Sequence, residues 1–225
     1  MSEIINSGES GNNTRALLSR LDADVLAHAP DLVIVRVGTN DALNSGTLVP
    51  REEFCANLDL LVKRSQNAGL QVLLATIVPF HLPALLTRHT PGAFGDISPR
   101  ERHAQTVAAI RERAREHGLP LAEVNTAFSV LGNIGDDAAS LLRNPANSDR
   151  VDGVHPTAEG YALIAAVIYQ TILAHQLTTS RIVCFGDSIT LGKRDALRRN
   201  RHGSDLSRAA GSDAKPSRTF IPINK

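Results

Sequence analysis

The sequence predicts an α/β protein in which a five-stranded parallel sheet is covered by helices on both faces, giving three layers. Short apolar stretches alternate with longer amphipathic stretches along the chain, a pattern typical of βαβ units. The apolar stretches are nearly continuous, as strands buried on both faces require. In chain order the predicted strands are Glu3–Asn6, Leu32–Val37, Leu70–Val78, Leu119–Val124 and Ile182–Phe185.

Four stretches between these strands have apolar residues at helical spacing and so predict helices. They are Thr14–His28, Pro50–Gln66, the segment from Ser98 to His117, and Thr157–Ala174. The third begins with a capping box, Ser98 to Glu101, and has a proline at its first helical position. In the last helix the residues predicted to face inward are Tyr161, Ile164, Ala165, Ile168 and Ile172.

One long segment, residues 79–99, has no clear periodicity and is interpreted as a lid or a binding loop. It contains His81 and His89, but their spacing does not support a metal site. No metal site is therefore predicted from them, and the chemistry inferred below needs neither a metal nor an organic cofactor.

Composition favours one domain followed by a basic tail. The chain has 225 residues, of which 42% are apolar and 21% charged, enough to bury a sizeable core. Residues 193–225 carry nine Lys or Arg against three Asp, whereas residues 1–192 carry 15 basic and 20 acidic side chains. We interpret residues 1–192 as the domain and residues 193–225 as a poorly ordered basic tail with room for a short helix. The tail lacks interleaved aromatic residues, so nucleic-acid binding is not expected.

The N-terminal residues lack the pattern of a signal peptide, and no apolar run approaches the roughly 18 residues of a membrane span. The expectation is therefore a soluble, cytoplasmic protein without a membrane span. The two cysteines, Cys55 and Cys184, fall in a predicted helix and a predicted strand, which favours free buried thiols over a disulfide.

The last predicted strand ends at Gly186 and places Ser188 two residues later. Because open α/β sheets bind ligands at the carboxyl ends of their strands, this hydroxyl is a candidate nucleophile. A phosphate-binding loop fits poorly, since one residue too many separates Gly186 from Gly192. A Gly-x-Ser-x-Gly elbow fails at Thr190, and an ordinary polar turn remains the simple alternative.

Three further polar blocks lie beyond predicted strand ends. The first, residues 7–14, is rich in glycine and precedes a helix, so it can expose backbone N–H groups. The second, residues 38–41, contributes the Asn40 carboxamide. In the third, residues 152–156, the Asp152 carboxylate can reach the His155 imidazole. Each block alone also fits a turn or a helix cap, but together they contain the groups that acyl transfer requires.

Together these four blocks resemble the SGNH (GDSL) hydrolases. The matching sequences are Gly-Asp-Ser-Ile-Thr at 186–190, Ser-Gly-Asn at 10–12, Gly-Thr-Asn-Asp at 38–41 and Asp-Gly-Val-His-Pro at 152–156. The resemblance implies a flavodoxin-like sheet and the hydrolysis of small-molecule esters. It implies that Ser188 is the nucleophile, His155 the base and Asp152 its orienting carboxylate. It further implies that Gly11, Asn40 and the Ser188 N–H form the oxyanion hole.

The order of the blocks departs from the family, in which the serine block comes first. Here the serine block comes last, which is the order that a circular permutation would give. The resemblance implies esters of short to medium acyl chains, thioesters or acetylated carbohydrates as substrates. An alternative hypothesis is a catalytically weak or inert binding protein whose basic tail mediates an interaction.

Overall fold

In the computed structural model, which describes residues 2–192, five parallel strands form one sheet in the order β1-β5-β2-β3-β4. The strands are β1 (Glu3–Gly8), β2 (Leu32–Arg36), β3 (Gln71–Ala75), β4 (Leu121–Ala122) and β5 (Arg181–Gly186). The helices are α1 (Thr14–Asp24), α2 (Thr39–Leu43), α3 (Arg51–Asn67), α4 (Leu82–Leu86), α5 (Pro99–Glu116), α6 (Val124–Leu131), α7 (Pro145–Ser148), α8 (Ala158–Ala174) and α9 (Ser188–Leu191). The predicted α/β class is confirmed.

The strand that comes last in the chain lies in the middle of the sheet. β5 pairs along its whole length with β1, from Glu3 opposite Arg181 to Gly8 opposite Gly186, and also pairs with β2. Val183 and Phe185 are fully buried. Removing β5 would therefore expose two apolar strand edges at once.

Helices cover both faces of the sheet, each with its own apolar cluster. On one face α1, α3 and α5 pack against alternate side chains of the central strands, including Val33, Val35 and Phe185. On the other face α6 and α8 pack together over a cluster that includes Ile34, Leu73 and Ile182. The alternation follows from the two-residue period of a strand.

Several sequence-based boundaries were wrong. Residues 79–99, predicted to lack regular structure, contain α4 and a 3₁₀ turn, Pro91–Phe94. Helix α6 was missed in the segment after the fourth predicted strand, and β4 contributes only two residues, which pair with β3. Ala165 is exposed rather than inward-facing. The other four residues predicted to face inward, Tyr161, Ile164, Ile168 and Ile172, do pack in the apolar cluster beneath α6 and α8.

The proposed basic tail, residues 193–225, and its short helix lie outside the described residues. Within residues 2–192, no helix combines the length and the apolar character needed to cross a membrane. Cys55 and Cys184 are both free and half-buried.

Candidate active site

Ser188 stands at the carboxyl edge of the sheet because β5 ends in a tight turn. Asp187 caps α9 by accepting a hydrogen bond from the Ile189 N–H at 2.9 Å, and Ser188 is the first residue of that helix. A Cβ atom on Gly186 would lie 2.2 Å from the Thr190 Oγ1 and 2.4 Å from a main-chain oxygen of β2. Only glycine fits there, so the glycine of this block is needed to form the turn.

A buried ion pair holds this turn against the end of β2. Nη1 of Arg36, at the end of β2, donates to Asp187 Oδ1 at 2.9 Å, and both side chains are almost inaccessible to solvent. Breaking a buried pair on one side leaves an uncompensated charge and costs about 3–5 kcal/mol. Arg36 therefore holds the carboxylate that caps the serine helix.

The structure brings Ser188, His155 and Asp152 into one line of hydrogen bonds. His155 Nε2 lies 2.9 Å from Ser188 Oγ, and His155 Nδ1 lies 2.9 Å from both carboxylate oxygens of Asp152. In this geometry the carboxylate accepts from Nδ1–H, which leaves the lone pair of Nε2 directed at the serine hydroxyl. The three groups can pass a proton from the hydroxyl to the imidazole.

Main-chain bonds hold the histidine loop in this position. Arg143, before the loop, donates its N–H to the His155 carbonyl and accepts from the Gly153 N–H, both at 2.9 Å. The Asp152 carboxylate also accepts from the N–H of Val154 and of His155. Burial opposes ionisation of Asp152, but the hydrogen bonds and charge of His155 outweigh it and lower the pKa of Asp152 well below its usual range. The Asp152 carboxylate is thus ionised at neutral pH and can accept the hydrogen bond from His155 Nδ1–H.

The candidate oxyanion donors come from three separate segments. Asn40 lies in α2, directly after β2, and its Nδ2 donates to the main-chain oxygen of Asn12 at 2.9 Å. The adjacent Gly11 has φ +80°, a conformation that favours glycine, in the turn between β1 and α1. This hydrogen bond therefore holds the Asn40 carboxamide next to the glycine turn. The Ser188 N–H belongs to the first turn of α9, where it has no partner within the helix.

Asp41 is buried beside this region and anchors the glycine turn from inside. Its Oδ1 accepts from the Thr14 N–H at 2.9 Å and from the Thr14 hydroxyl at 2.6 Å. Burial raises the pKa of Asp41 to about 6, although both bonds from Thr14 act in the opposite direction and Asp187 adds a smaller repulsion. The protein therefore holds a carboxyl group that becomes charged close to neutral pH.

Asp41 should make the protein less stable as the pH rises. A carboxyl whose pKa is higher in the folded state favours folding below its unfolded pKa and loses that contribution as the pH rises through about 6. The free energy of unfolding of Asp41→Asn minus that of wild type should rise by about 2 kcal/mol as the pH goes from 4.5 to 7.5. Urea unfolding of both proteins at the two pH values measures this. A difference between the two proteins that does not change with pH would contradict it.

Sequence reasoning named the residues that face the site but missed those that hold them. Arg36, inside the second predicted strand, was not identified, and Asp41 was considered only as part of the block at 38–41. A lone arginine within a buried strand was the available signal, since such a charge must be paired. Its partner, Asp187, lies 151 positions away in the chain. Within residues 2–192, no cluster of three or more His, Cys, Asp or Glu side chains could hold a metal ion.

Comparison with known proteins gives three kinds of match. A model of the GDSL-like lipase/acylhydrolase family matches residues 1–163. An acetylxylan esterase from Geobacillus stearothermophilus is 25% identical over 178 residues, which cover 75% of this chain and 71% of that protein. An arylesterase from Vibrio mimicus is 29% identical over 104 residues, 46% of this chain and 49% of its own length.

The chain spans about half of the arylesterase, and only a third of a Bacillus subtilis lipoprotein, YqeF, that also matches. Among solved structures, a lipase/acylhydrolase from Enterococcus faecalis superposes with a TM-score of 0.58 at 24% identity, covering 75% of this chain and 74% of its own. At that identity the superposition establishes a common fold.

Proposed function

This chain belongs to the GDSL-like lipase/acylhydrolase family, and from that premise we propose that it is a serine esterase acting through an acyl-enzyme. The observation that carries the proposal is the unbroken line of hydrogen bonds from Asp152 through His155 to Ser188. Acyl transfer needs such a line, because a serine hydroxyl is a weak nucleophile unless a neighbouring base removes its proton.

In the proposed mechanism, Ser188 Oγ attacks the ester carbonyl while His155 Nε2 takes its proton. Asp152 orients the imidazole and stabilises its charged form. The N–H groups of Gly11 and Ser188 and the Asn40 carboxamide donate to the oxyanion that develops in the transition state. His155 then protonates the leaving alcohol, and a water molecule activated by the same histidine hydrolyses the acyl-enzyme.

For the substrate, we propose an ester with a short acyl group, and an acetylated carbohydrate as the first class to test. The support is the resemblance to an acetylxylan esterase over three quarters of the chain. The test compares p-nitrophenyl acetate, butyrate and octanoate with acetylated xylo-oligosaccharides. A preference for octanoate over acetate would contradict the short-chain proposal, and turnover of no ester at all would favour a binding protein.

Asn40→Ala should lower kcat by about 10²–10³, with a smaller change in KM, because the carboxamide meets charge that exists only in the transition state. Steady-state kinetics on p-nitrophenyl acetate measure both constants. Asn67→Ala, at the exposed end of α3, is the matched control and should keep the wild-type constants. A change confined to KM would mean that Asn40 only binds the substrate.

The order of the elements supports a further proposal, that the chain is a circularly permuted member of its family. If β5 is counted first, the sheet order reads 2-1-3-4-5, the doubly wound order. The family match ends at residue 163, before β5 begins. The serine that completes the proposed triad nevertheless lies within hydrogen-bonding distance of His155.

A further inference from the structure

The segment that follows β3 packs directly against the Asp152–His155 loop. The His81 N–H, just before α4, donates to the Gly153 carbonyl at 2.8 Å. Gly153 has φ +68°, and a Cβ atom on it would lie 2.6 Å from the Cβ of Ala84 in α4. Helix α4 therefore lies in close contact with the loop that carries the proposed base.

The same segment brings one arginine to the back of the proposed triad. Arg88, two residues after α4, donates from Nη2 to the main-chain oxygen of Asp152 at 2.9 Å, and this nitrogen lies 3.8 Å from Asp152 Oδ1. The Arg88 side chain is 39% exposed, whereas that of Asp152 is 8% exposed. The guanidinium thus places a permanent positive charge beside the carboxylate, on the solvent side.

Other charged and titratable groups face the Asp152–His155 couple from each element packed against it. They are His81 in the segment before α4, with Asp136 at 3.2 Å, Arg143 before the loop, and Tyr161 of α8. Arg143 is buried and directs its Nε to the Pro156 carbonyl. Among the residues that the structure describes, Arg88 and His155 are the basic side chains paired with the Asp152 carboxylate.

We propose that Arg88 is a positioning residue that acts on the proposed base through Asp152. Its hydrogen bond holds the Asp152 main chain, and its charge disfavours the addition of a proton to the Asp152–His155 couple. Removal of this charge should therefore change the pH dependence of the proposed reaction. The inference rests on the proposed esterase mechanism.

Three variants separate the effect of the Arg88 charge from the effect of its hydrogen bond to the Asp152 main chain. Arg88→Gln removes the charge but retains an amide donor, Arg88→Lys retains the charge, and Arg64→Gln is the control. Arg64, in the last turn of α3, is 34% exposed and is also paired with one carboxylate, that of Asp22. Measurements of kcat/KM against pH for p-nitrophenyl acetate give a profile for each protein. The acid limb of this profile is its low-pH part, over which kcat/KM rises with pH.

In Arg88→Gln the acid limb should move to higher pH by about 0.5 unit at low salt, as expected for one charge several ångströms away in a wet environment. The alkaline plateau should stay within about threefold of wild type, because the imidazole itself is intact. In Arg88→Lys the limb should stay near its wild-type position. Since Arg88 is partly exposed, about 1 M salt should remove most of the difference. A purely structural role would lower the plateau and leave the limb in place.

An NMR titration of the His155 ring distinguishes a failure of this inference from a failure of the proposed function. The His155 signal is identified by its loss in His155→Ala. If no protein turns over esters but the midpoint of the His155 titration rises in Arg88→Gln, the Arg88 inference stands and the esterase proposal fails. If wild type is active, and neither the acid limb nor the His155 midpoint differs between wild type and Arg88→Gln, the Arg88 inference is overturned.

Discussion

Ser188→Ala should lower kcat/KM for p-nitrophenyl acetate by at least about 10⁴-fold. Without the hydroxyl no acyl-enzyme can form, and the groups that remain can only bind the ester and polarise its carbonyl. Ser188 is half-buried, and within residues 2–192 its Oγ bonds to His155 Nε2. Its removal should therefore change the unfolding free energy by no more than about 1 kcal/mol.

Kinetics and urea unfolding of the same samples test both parts of this expectation. Ser19→Ala is the matched control, because Ser19 is an exposed helical serine whose hydroxyl donates to the Ala16 carbonyl. The control should keep the wild-type rate. If Ser188→Ala also keeps the wild-type rate at unchanged stability, Ser188 is not the nucleophile, and the esterase mechanism proposed above is wrong.

Truncation before Arg181 should abolish folding. The fragment ending at Ser180 lacks β5, whose Val183 and Phe185 are fully buried and whose backbone pairs with β1 and β2 at once. Burial of each such side chain contributes about 1.5–3 kcal/mol, and the whole domain has only about 5–15 kcal/mol of stability. Two apolar strands would also be left with unpaired edges, so aggregation is expected.

A fragment ending at Gly192 is the control, because it retains every described residue. We expect this fragment to remain monodisperse and to unfold cooperatively, and the fragment ending at Ser180 to do neither. Size-exclusion chromatography and thermal unfolding followed by circular dichroism measure both properties. A soluble, cooperatively melting fragment ending at Ser180 would show that β5 is an appendage, and the permutation proposal would then fail.

The two halves of the candidate site differ in how far the sequence could predict them. Asp152 and His155 are three positions apart in one loop, so their contact follows from local geometry. The contact between His155 and Ser188 spans 33 positions and required the assignment of β5 to the sheet. That assignment was possible because a continuous apolar strand must be buried between others wherever it occurs in the chain.

The amino-acid sequence was enough to predict the α/β class, the approximate strands, most helices and the residue types of the proposed site. These depend on periodicity, on caps and on turn-forming glycines, all of which are local properties of the chain. The pairing of Arg36 with Asp187 and the contact of Arg88 with Asp152 could be found only from the folded structure. Each of these depends on how distant segments pack, and a buried or partly buried charge is stabilised by whichever partner the fold brings to it.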